Sequence, residues 1–254
     1  MGLCPPDKKC RLNEIRKQRT VGLTRNSQNL KTGRSFHFFM LLSILLGAII
    51  LSGNASAKKC KKNIEIVILH TNDMHSKIDN MGKLAYVADS IRKLCKHVFL
   101  FSAGDNFTGN PIVDMYPKKG YPMIDLMNRA GFDLSAIGNH EFDPGQDILN
   151  KRRGEAKFPF ICANIEVTGG ILEKPRPYFV LKAGKCRIPV LGLSQVSENG
   201  MADSHPSRLV GLKFKQGLET AGDYLYLKKK YGMLIALTHL GVEGDVELAQ
   251  KYPQ

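Results

Sequence analysis

Four short polar segments of this sequence carry side chains of the kind that bind metal ions, and each segment follows an apolar run. The segments are Asp73-Met74-His75, Gly104-Asp105-Asn106, Gly138-Asn139-His140-Glu141 and Thr238-His239. A site built from carboxylate, amide and imidazole groups suits zinc, manganese or iron better than calcium. If the segments meet, the sequence predicts a centre for two divalent ions, which is the layout that metal-assisted phosphoester hydrolysis uses.

The spacing of the first three segments indicates how the fold would bring them together. They lie about thirty residues apart, which is the length of one crossover from a strand through a helix to a parallel strand. Ligands of open α/β sheets bind outside the carboxyl ends of the strands. All four segments fall at the ends of predicted strands, so we expect them to share one edge of the fold.

Each candidate ligand has a geometric reason for its place. Asp73 and His75 are separated by one residue, so both can point to the same side and grip one cation. Asp105 follows a glycine that allows a tight turn, and its carboxylate can bridge two ions. Asn139 supplies a neutral amide oxygen, and His239 supplies a second imidazole.

The hydrophobic pattern from Ile64 onward predicts alternating strands and helices. We expect strands at 64–69, 97–103, 133–137, 158–163 and 233–237, helices at 82–95, 121–130, 146–152 and 214–230, and a hairpin over 178–193. Alternation of this kind predicts a mainly parallel central sheet with helices outside, and the hairpin adds antiparallel strands. The predicted fold class is therefore a layered α/β fold.

The N-terminal part of the sequence has the pattern of an export signal. Residues 1–35 form a basic leader with nine Lys or Arg against two acidic residues, and residues 36–57 carry no charge and end in Ala55-Ser56-Ala57. We expect cleavage before Lys58, export to the periplasm or the extracellular space, and a mature domain over residues 58–254. The alternative is an uncleaved membrane anchor, although the apolar run is shorter than the about 20 residues that a membrane span needs.

The net charge of +14 does not indicate a nucleic-acid partner. Half of the excess lies in the leader, and four more charges cluster at Lys58, Lys59, Lys61 and Lys62. A broad basic face that tracks a nucleic-acid duplex is therefore not expected. Contact with a membrane is expected only through the leader, if it is retained.

Four cysteines follow the predicted cleavage site: Cys60, Cys95, Cys162 and Cys186. They contain no CxxC pair, which argues against a zinc ribbon or a thioredoxin-type site. An oxidising compartment would permit disulfides, so the pairing of these cysteines stays open. Free buried thiols are the expectation for Cys95 and Cys162, since they fall on a predicted helix end and a predicted strand.

Together these motifs resemble those of the 5′-nucleotidase and UDP-sugar hydrolase family within the calcineurin-like phosphoesterases. The resemblance covers about Ile64 to Tyr252 and is carried by residues 68–75, 102–106, 138–143, 163–165 and 237–241. It implies a layered metallophosphoesterase fold and two divalent ions, with zinc, manganese and iron as the candidates.

The same resemblance implies a role for each residue of the site. Asp73 and His75 would hold one ion, Asp105 would bridge both ions, and Asn139 and His239 would hold the second. His140, oriented by Asp143, would stabilise charge on the reacting phosphate and on the leaving oxygen. The implied activity is metal-dependent hydrolysis of a nucleotide or sugar nucleotide, which releases phosphate and nucleoside from a 5′-nucleotide.

The sequence departs from the family pattern at its C-terminal end. The family continues with a strand and a Gly-Gly-His turn that complete both metal sites, followed by a domain that binds the nucleobase, and Gln254 comes before both. We therefore expect either a fragment or a nucleobase-binding domain on a separate chain. The alternative function is an exported, non-catalytic or partner-dependent remnant of the domain. A thiosulfate-ester hydrolase of the same family is a third interpretation.

Overall fold

The computed structural model describes residues 63–253 of the chain. The predicted leader at 1–35, the apolar stretch and cleavage site at 36–57, and the predicted domain start at Lys58 lie outside these residues. Within residues 63–253, no helix is both long enough and apolar enough to cross a membrane.

Strands and helices alternate along most of the described chain. In order they are β1 (Val67–Thr71), α1 (Met81–Leu94), β2 (Val98–Ser102), α2 (Pro111–Asp114), α3 (Tyr121–Ala130), β3 (Leu134–Ala136), α4 (Gln146–Glu155), β4 (Phe160–Ile161), β5 (Ile165–Val167), β6 (Tyr178–Ala183), β7 (Cys186–Ser194), β8 (Leu212–Phe214), α5 (Gly217–Asp223), α6 (Tyr226–Tyr231), β9 (Ile235–His239) and α7 (Gly241–Lys251). Short 3-10 turns lie at His140–Phe142 and Pro206–Arg208.

The first sheet contains β1, β2, β3 and β4 in that order, and all neighbouring strands are parallel. Side chains of β2 alternate between its two faces: Leu100 packs with the helices, whereas Phe101 packs toward the second sheet. Burial on both faces explains why this strand reads as a continuous apolar run. The carboxyl ends of β1, β2 and β3 lie at one edge of the sheet, as the spacing of the motifs predicts.

Helix α3 shows how local sequence shapes these crossovers. It begins after Gly120, has a proline in its first turn and ends at Gly131 in a left-handed conformation with φ 71°. Proline in the first turn favours the start of a helix, and glycine just past the last turn favours its end. Its buried residues are Met123, Ile124, Met127 and Ala130, so one face of the helix is anchored in the core.

The second sheet has the order β6, β7, β9. Strands β6 and β7 form the predicted antiparallel hairpin, which turns at Gly184 with φ 61°. Strand β9 runs parallel to β7, and Ser194 at the end of β7 is in register with His239 at the end of β9. Apolar residues of α5 and α7 pack on the outer face of this sheet.

The two sheets pack face to face. The core between them contains Phe101, Leu134, Ile161, Leu181, Ile188, Val190 and Leu237. At one end the approach is close enough for the Ala163 amide to donate a hydrogen bond of 2.8 Å to the Gly192 carbonyl. A Cβ atom at Gly192 would lie 2.5 Å from the Ile161 carbonyl oxygen, so glycine is required there. The layers are therefore helix, sheet, sheet, helix, with a small antiparallel pair of β5 and β8 beside them.

The predicted layered α/β fold class is confirmed, and three details differ from the sequence expectations. The strands divide between two sheets rather than forming one central sheet, because β9 pairs with β7 and not with the first sheet. The helix expected at 214–230 is wrong in extent: its first residue ends β8, and a break near Tyr224 separates α5 from α6. Helix α7 was not expected, and none of its residues is fully buried.

The cysteines follow the sequence expectations in part. Cys95 and Cys162 are free thiols, and Cys162 is buried. Burial raises the pKa of the Cys162 thiol to about 12, so it remains protonated. Cys186, in contrast, is disulfide-bonded. Its position at the start of a hairpin strand gave no sign of this on its own.

Candidate metal centre

The four polar segments meet at the carboxyl edge of the two sheets. Asp73 and His75 lie in the loop after β1, and Asp105 lies in the loop after β2. His75 Nε2 is 3.8 Å from Asp73 Oδ1 and 4.0 Å from Asp105 Oδ2. The other ring nitrogen of His75, Nδ1, contacts the Thr108 carbonyl at 3.2 Å. The Nε2 atom is therefore the one turned toward the carboxylates.

A second set of donors approaches the same carboxylate from another side. His239 Nε2 lies 3.1 Å from Asp105 Oδ2 and 3.1 Å from Asn139 Oδ1. Asp105 Oδ2 thus lies between the imidazoles of His75 and His239. One buried oxygen atom shared by two donor sets is the arrangement expected of a bridging ligand.

Two groups of ligand-type side chains in the described part of the chain share this aspartate. One contains Asp73, Asp105 and His239, and the other contains His75, Asp105 and His140. Within each group the candidate atoms all lie within 4.8 Å of one another. Residues of this chemistry at this spacing fit divalent transition-metal ions.

The loops that carry these side chains adopt strained backbone conformations. Asp73, His75 and Asp105 have φ values of 49°, 45° and 52°, in the left-handed region that non-glycine residues rarely occupy. Strain of this kind persists when the surroundings over-determine it, and it concentrates at functional sites. A Cβ atom at Gly138 would overlap the Asp105 carboxylate, so the loops after β2 and β3 approach each other as closely as glycine permits.

The carboxylate of Glu141, which is fully buried, joins these two loops. Its Oε2 accepts hydrogen bonds from the backbone amides of Asp105 (2.9 Å) and Gly138 (2.7 Å). Its Oε1 accepts from the backbone amide and the side-chain amide of Asn106, at 2.7 and 2.9 Å. Burial, and then the nearby Asp105 charge, raise the pKa of the Glu141 carboxyl, whereas the backbone donors oppose that rise. Glu141 therefore holds Asp105 in place without facing the donor sets.

His140 and Asp143 form a hydrogen-bonded pair beside the donor sets. His140 Nδ1 lies 2.6 Å from Asp143 Oδ2, and the Thr108 hydroxyl contacts the same carboxylate oxygen at 2.6 Å. The His140 ring is packed edge-on against His75, with ring centroids 4.7 Å apart. The backbone amide of His140 donates to Asp105 Oδ1 at 2.9 Å. With Nδ1 hydrogen-bonded to Asp143, Nε2 is the ring nitrogen that can face an ion or a substrate.

The electrostatics of the site favour a negatively charged Asp105. Burial alone would raise the pKa of its carboxyl, but the hydrogen bond and charge of His239, together with the His140 amide, lower it overall. For His239, burial lowers the pKa, but the contact with Asp105 raises it overall. For His140, burial also lowers the pKa. The hydrogen bond to Asp143, together with the charges of the nearby carboxylates, outweighs burial and raises the pKa overall.

All seven residues singled out in the sequence lie at this edge: Asp73, His75, Asp105, Asn139, His140, Asp143 and His239. His70 stands apart, exposed and hydrogen-bonded to the Asn72 side chain at 2.8 Å. Sequence reasoning missed Asn106, Thr108 and Glu141 as structural members of the site. Asn106 and Glu141 stand inside the polar segments, and that position was the only signal for them.

A layered two-sheet α/β fold with a cluster of carboxylates and imidazoles at its sheet edge defines the class of metal-dependent phosphoesterases. The family model for calcineurin-like phosphoesterase matches residues 66–252, and the chain belongs to this family. This confirms the resemblance found in the sequence. The family fold implies divalent metal ions, and the cluster around Asp105 is the candidate site for them.

Similar proteins include enzymes named for nucleotides. Protein UshA of Salmonella pullorum is 33% identical over 238 residues, which cover 84% of this chain and 42% of that protein. A 5′-nucleotidase of Vibrio cholerae is 32% identical over 246 residues, which cover 84% of this chain and 43% of that protein. The solved NAD nucleotidase of Haemophilus influenzae superposes with a TM-score of 0.65 at 26% identity, covering 74% of this chain and 41% of that one. The chain thus spans about two fifths of the length of these relatives.

Proposed function

We propose that this chain is the metal-binding part of a phosphoesterase that hydrolyses nucleotides, releasing phosphate and nucleoside from a 5′-nucleotide. The observation that carries the proposal is the position of Asp105 Oδ2, which lies 3.1 Å from His239 Nε2 and 4.0 Å from His75 Nε2. The names of the relatives support the nucleotide as the substrate class. A sugar nucleotide is the second substrate that we propose, on the resemblance to the UDP-sugar hydrolases.

The proposed ligand sets divide around Asp105. Asp73 and His75 join it for one ion, since the Nε2 atom of His75 lies within 4.0 Å of both carboxylates. Asn139 and His239 join it for the other ion, since both contacts of His239 Nε2 are 3.1 Å long. When bound, two such divalent ions supply an acidified water and neutralise charge on the phosphate. We propose zinc, manganese or iron, because the set mixes carboxylate, amide and imidazole donors.

His140 belongs to one of the two groups of ligand-type side chains, but we propose that it acts on the substrate rather than holding a metal ion, because its ring is oriented by Asp143. Its contact with Asp143 holds a proton on Nδ1 and favours the protonated form of the ring. In that form Nε2 also carries a hydrogen, which it can donate to the phosphate and to the leaving oxygen as negative charge develops there. A donor placed in advance where charge develops costs no reorganisation during the reaction.

Two further proposals concern the whole protein. The nucleobase is bound by a separate domain or a separate chain, in keeping with the greater length of the relatives. The protein is exported, on the strength of the charged and then apolar leader that ends in Ala55-Ser56-Ala57. N-terminal sequencing of secreted protein is expected to begin at Lys58, and a retained leader in the membrane fraction would contradict export.

The experiment for the activity compares Asp105→Ala with the control Asp125→Ala in the full natural chain. Asp125 is an aspartate of α3 that pairs with Arg129 on the helix surface. With manganese or zinc added, we expect Asp105→Ala to abolish hydrolysis of a 5′-mononucleotide and to lower the metal content, because both ions lose a ligand. Asp125→Ala should match the unmodified protein in both. If the unmodified protein binds metal but releases no phosphate from any nucleotide, the non-catalytic alternative is favoured.

A further inference from the structure

A loop that lies outside all the sequence motifs contacts two residues of the candidate metal centre. This segment, the 197–205 loop, follows β7. The backbone carbonyl of Asp203 accepts a hydrogen bond of 2.9 Å from Asn139 Nδ2. The neighbouring Ser204 hydroxyl donates a hydrogen bond of 3.1 Å to Asp143 Oδ1. Two consecutive loop residues thus contact Asn139 and Asp143, which lie before and after His140 in the sequence.

The 197–205 loop is held in shape by its own contacts. The Ser197 amide donates to the Met201 carbonyl at 2.8 Å, and the Gly200 amide donates to the Ser197 carbonyl at 2.9 Å. Ala202, directly before the two contact residues, is 3% exposed and belongs to the main hydrophobic core. Because backbone hydrogen bonds and the buried Ala202 both fix this loop, it can hold the side chains that it contacts in a defined position.

The hydrogen bonds of Asp143 show why Ser204 matters. Asp143 Oδ2 accepts from His140 Nδ1 and from Thr108, whereas the described contact of Oδ1 is with Ser204. The Thr108 hydroxyl is a less constant partner, since its single proton can also go to the Phe107 carbonyl, and its oxygen lies 3.1 Å from His140 Nδ1. Without Ser204, the Asp143 carboxylate would lose the contact that fixes its rotation, because the terminal torsion of aspartate is broad.

We propose that Ser204 is a positioning residue for His140 and acts through Asp143. Its hydroxyl fixes one carboxylate oxygen so that the other accepts the N–H group at His140 Nδ1 and orients the ring, with the opposite N–H group at Nε2 directed to the leaving oxygen. The Asp203 carbonyl does the corresponding work for Asn139, because it binds the amide nitrogen and leaves the amide oxygen facing His239. This inference rests on the proposed function, in which His140 stabilises the leaving oxygen.

The test compares Ser204→Ala, Ser204→Thr and the control Ser207→Ala in the full natural chain. The Ser207 hydroxyl lies in the following turn and contacts the His205 ring at 2.8 Å, away from Asp143. With a 5′-mononucleotide, we expect Ser204→Ala to lower kcat roughly tenfold, since partners of this kind typically contribute 10–100-fold. KM and metal content should be unchanged. Ser204→Thr, which keeps the hydroxyl, should restore kcat, and Ser207→Ala should have no effect.

The identity of the leaving group separates positioning from a general structural role. The loss in Ser204→Ala should be smaller with p-nitrophenyl phosphate, because its leaving group needs little stabilisation of charge. Equal losses on both substrates, a lowered metal content, unchanged kcat or a failure of Ser204→Thr to restore kcat would overturn the inference. His140→Ala is measured in parallel. If it is impaired while Ser204→Ala is not, the inference alone fails, whereas normal turnover in His140→Ala removes the proposed role of His140 as well.

Discussion

The two oxygens of the Asp105 carboxylate have different partners. Oδ1 accepts the backbone amide of His140, so the carboxylate is held by the chain itself. Oδ2 is left facing His75 and His239 from opposite donor sets. A carboxylate that is oriented before any ion arrives loses little conformational freedom on binding, which favours tight and geometrically defined coordination.

At the residue scale, His140→Ala should slow the reaction while leaving the metal ions bound. We expect turnover of a 5′-mononucleotide to fall roughly 10²–10³-fold, the usual cost of removing a donor that stabilises developing charge. Metal content and kinetics are measured on the same preparation. His70→Ala is the matched control, since His70 contacts the exposed side chain of Asn72. A His140→Ala protein that lost both ions, as Asp105→Ala should, would make His140 a ligand.

Glu141→Gln tests the buried carboxylate that holds the loops after β2 and β3. In the wild type, both carboxylate oxygens of Glu141 accept hydrogen bonds from N–H groups. The side-chain NH₂ group of glutamine cannot accept them, so at least one buried N–H group would lose its partner. We expect the free energy of unfolding to fall by about 2–4 kcal/mol, measured by chemical denaturation. The exposed Glu65 gives a control substitution, Glu65→Gln. Equal stability of Glu141→Gln and the unmodified protein would show that the four hydrogen bonds to Glu141 contribute little.

The types of the site residues could be predicted from the sequence, but their supporting contacts could not. Carboxylate and imidazole groups at strand ends can be recognised in the sequence by their chemistry and their spacing. The roles of Thr108 and Ser204 depend on contacts with Asp143 across 35 and 61 positions of the chain. No local pattern encodes such contacts, because hydroxyl residues in loops are common and their partners are set by the fold.

At the element scale, the site depends on how two sheets end at the same edge. The Asn164 side chain, which is fully buried, joins these ends. Its Nδ2 donates to the carbonyls of Ser194 and Lys215 at 2.8 and 2.9 Å, and its Oδ1 accepts the Ser194 amide at 2.9 Å. Because Ser194 is in register with His239, Asn164 helps to fix the strand pair that carries this histidine.

Asn164→Ala should therefore destabilise the protein and displace the second donor set. Loss of the side chain leaves buried backbone groups of Ser194 without partners, which predicts a loss of about 2–4 kcal/mol in the free energy of unfolding. Denaturant titration measures the loss. The control is Asn80→Ala, because Asn80 precedes α1 and its side chain makes no capping hydrogen bond. If the two variants were equally stable, the proposed joining role of Asn164 would be wrong.

Elements with a strong periodic pattern could be predicted, and those that depend on distant partners could not. The strands β1, β2 and β9 are short runs rich in apolar residues, and the sequence reveals them directly. The three-residue strands β5 and β8 pair with each other, so only the fold makes them strands. The division into two sheets is also invisible locally, because periodicity identifies a strand but not its neighbour.

At the scale of the whole molecule, the fold provides the metal centre and the relatives suggest what surrounds it. The described residues contain both proposed ligand sets around Asp105, whereas the relatives are more than twice as long as the part they share with this chain. We propose that nucleotide specificity depends on a domain or chain beyond the described residues. The candidate ligands of the metal centre itself all lie within residues 63–253.

The central claim is that two ions share Asp105, and electron paramagnetic resonance of the manganese-loaded protein tests it most directly. Two Mn²⁺ ions bridged by one carboxylate are close enough for their spins to couple. We predict two ions per chain at saturation and a spectrum of a spin-coupled pair, which Asp105→Ala should replace with the spectrum of isolated ions. If the unmodified protein at saturating Mn²⁺ gave only the spectrum of isolated ions, the shared site around Asp105 would be contradicted.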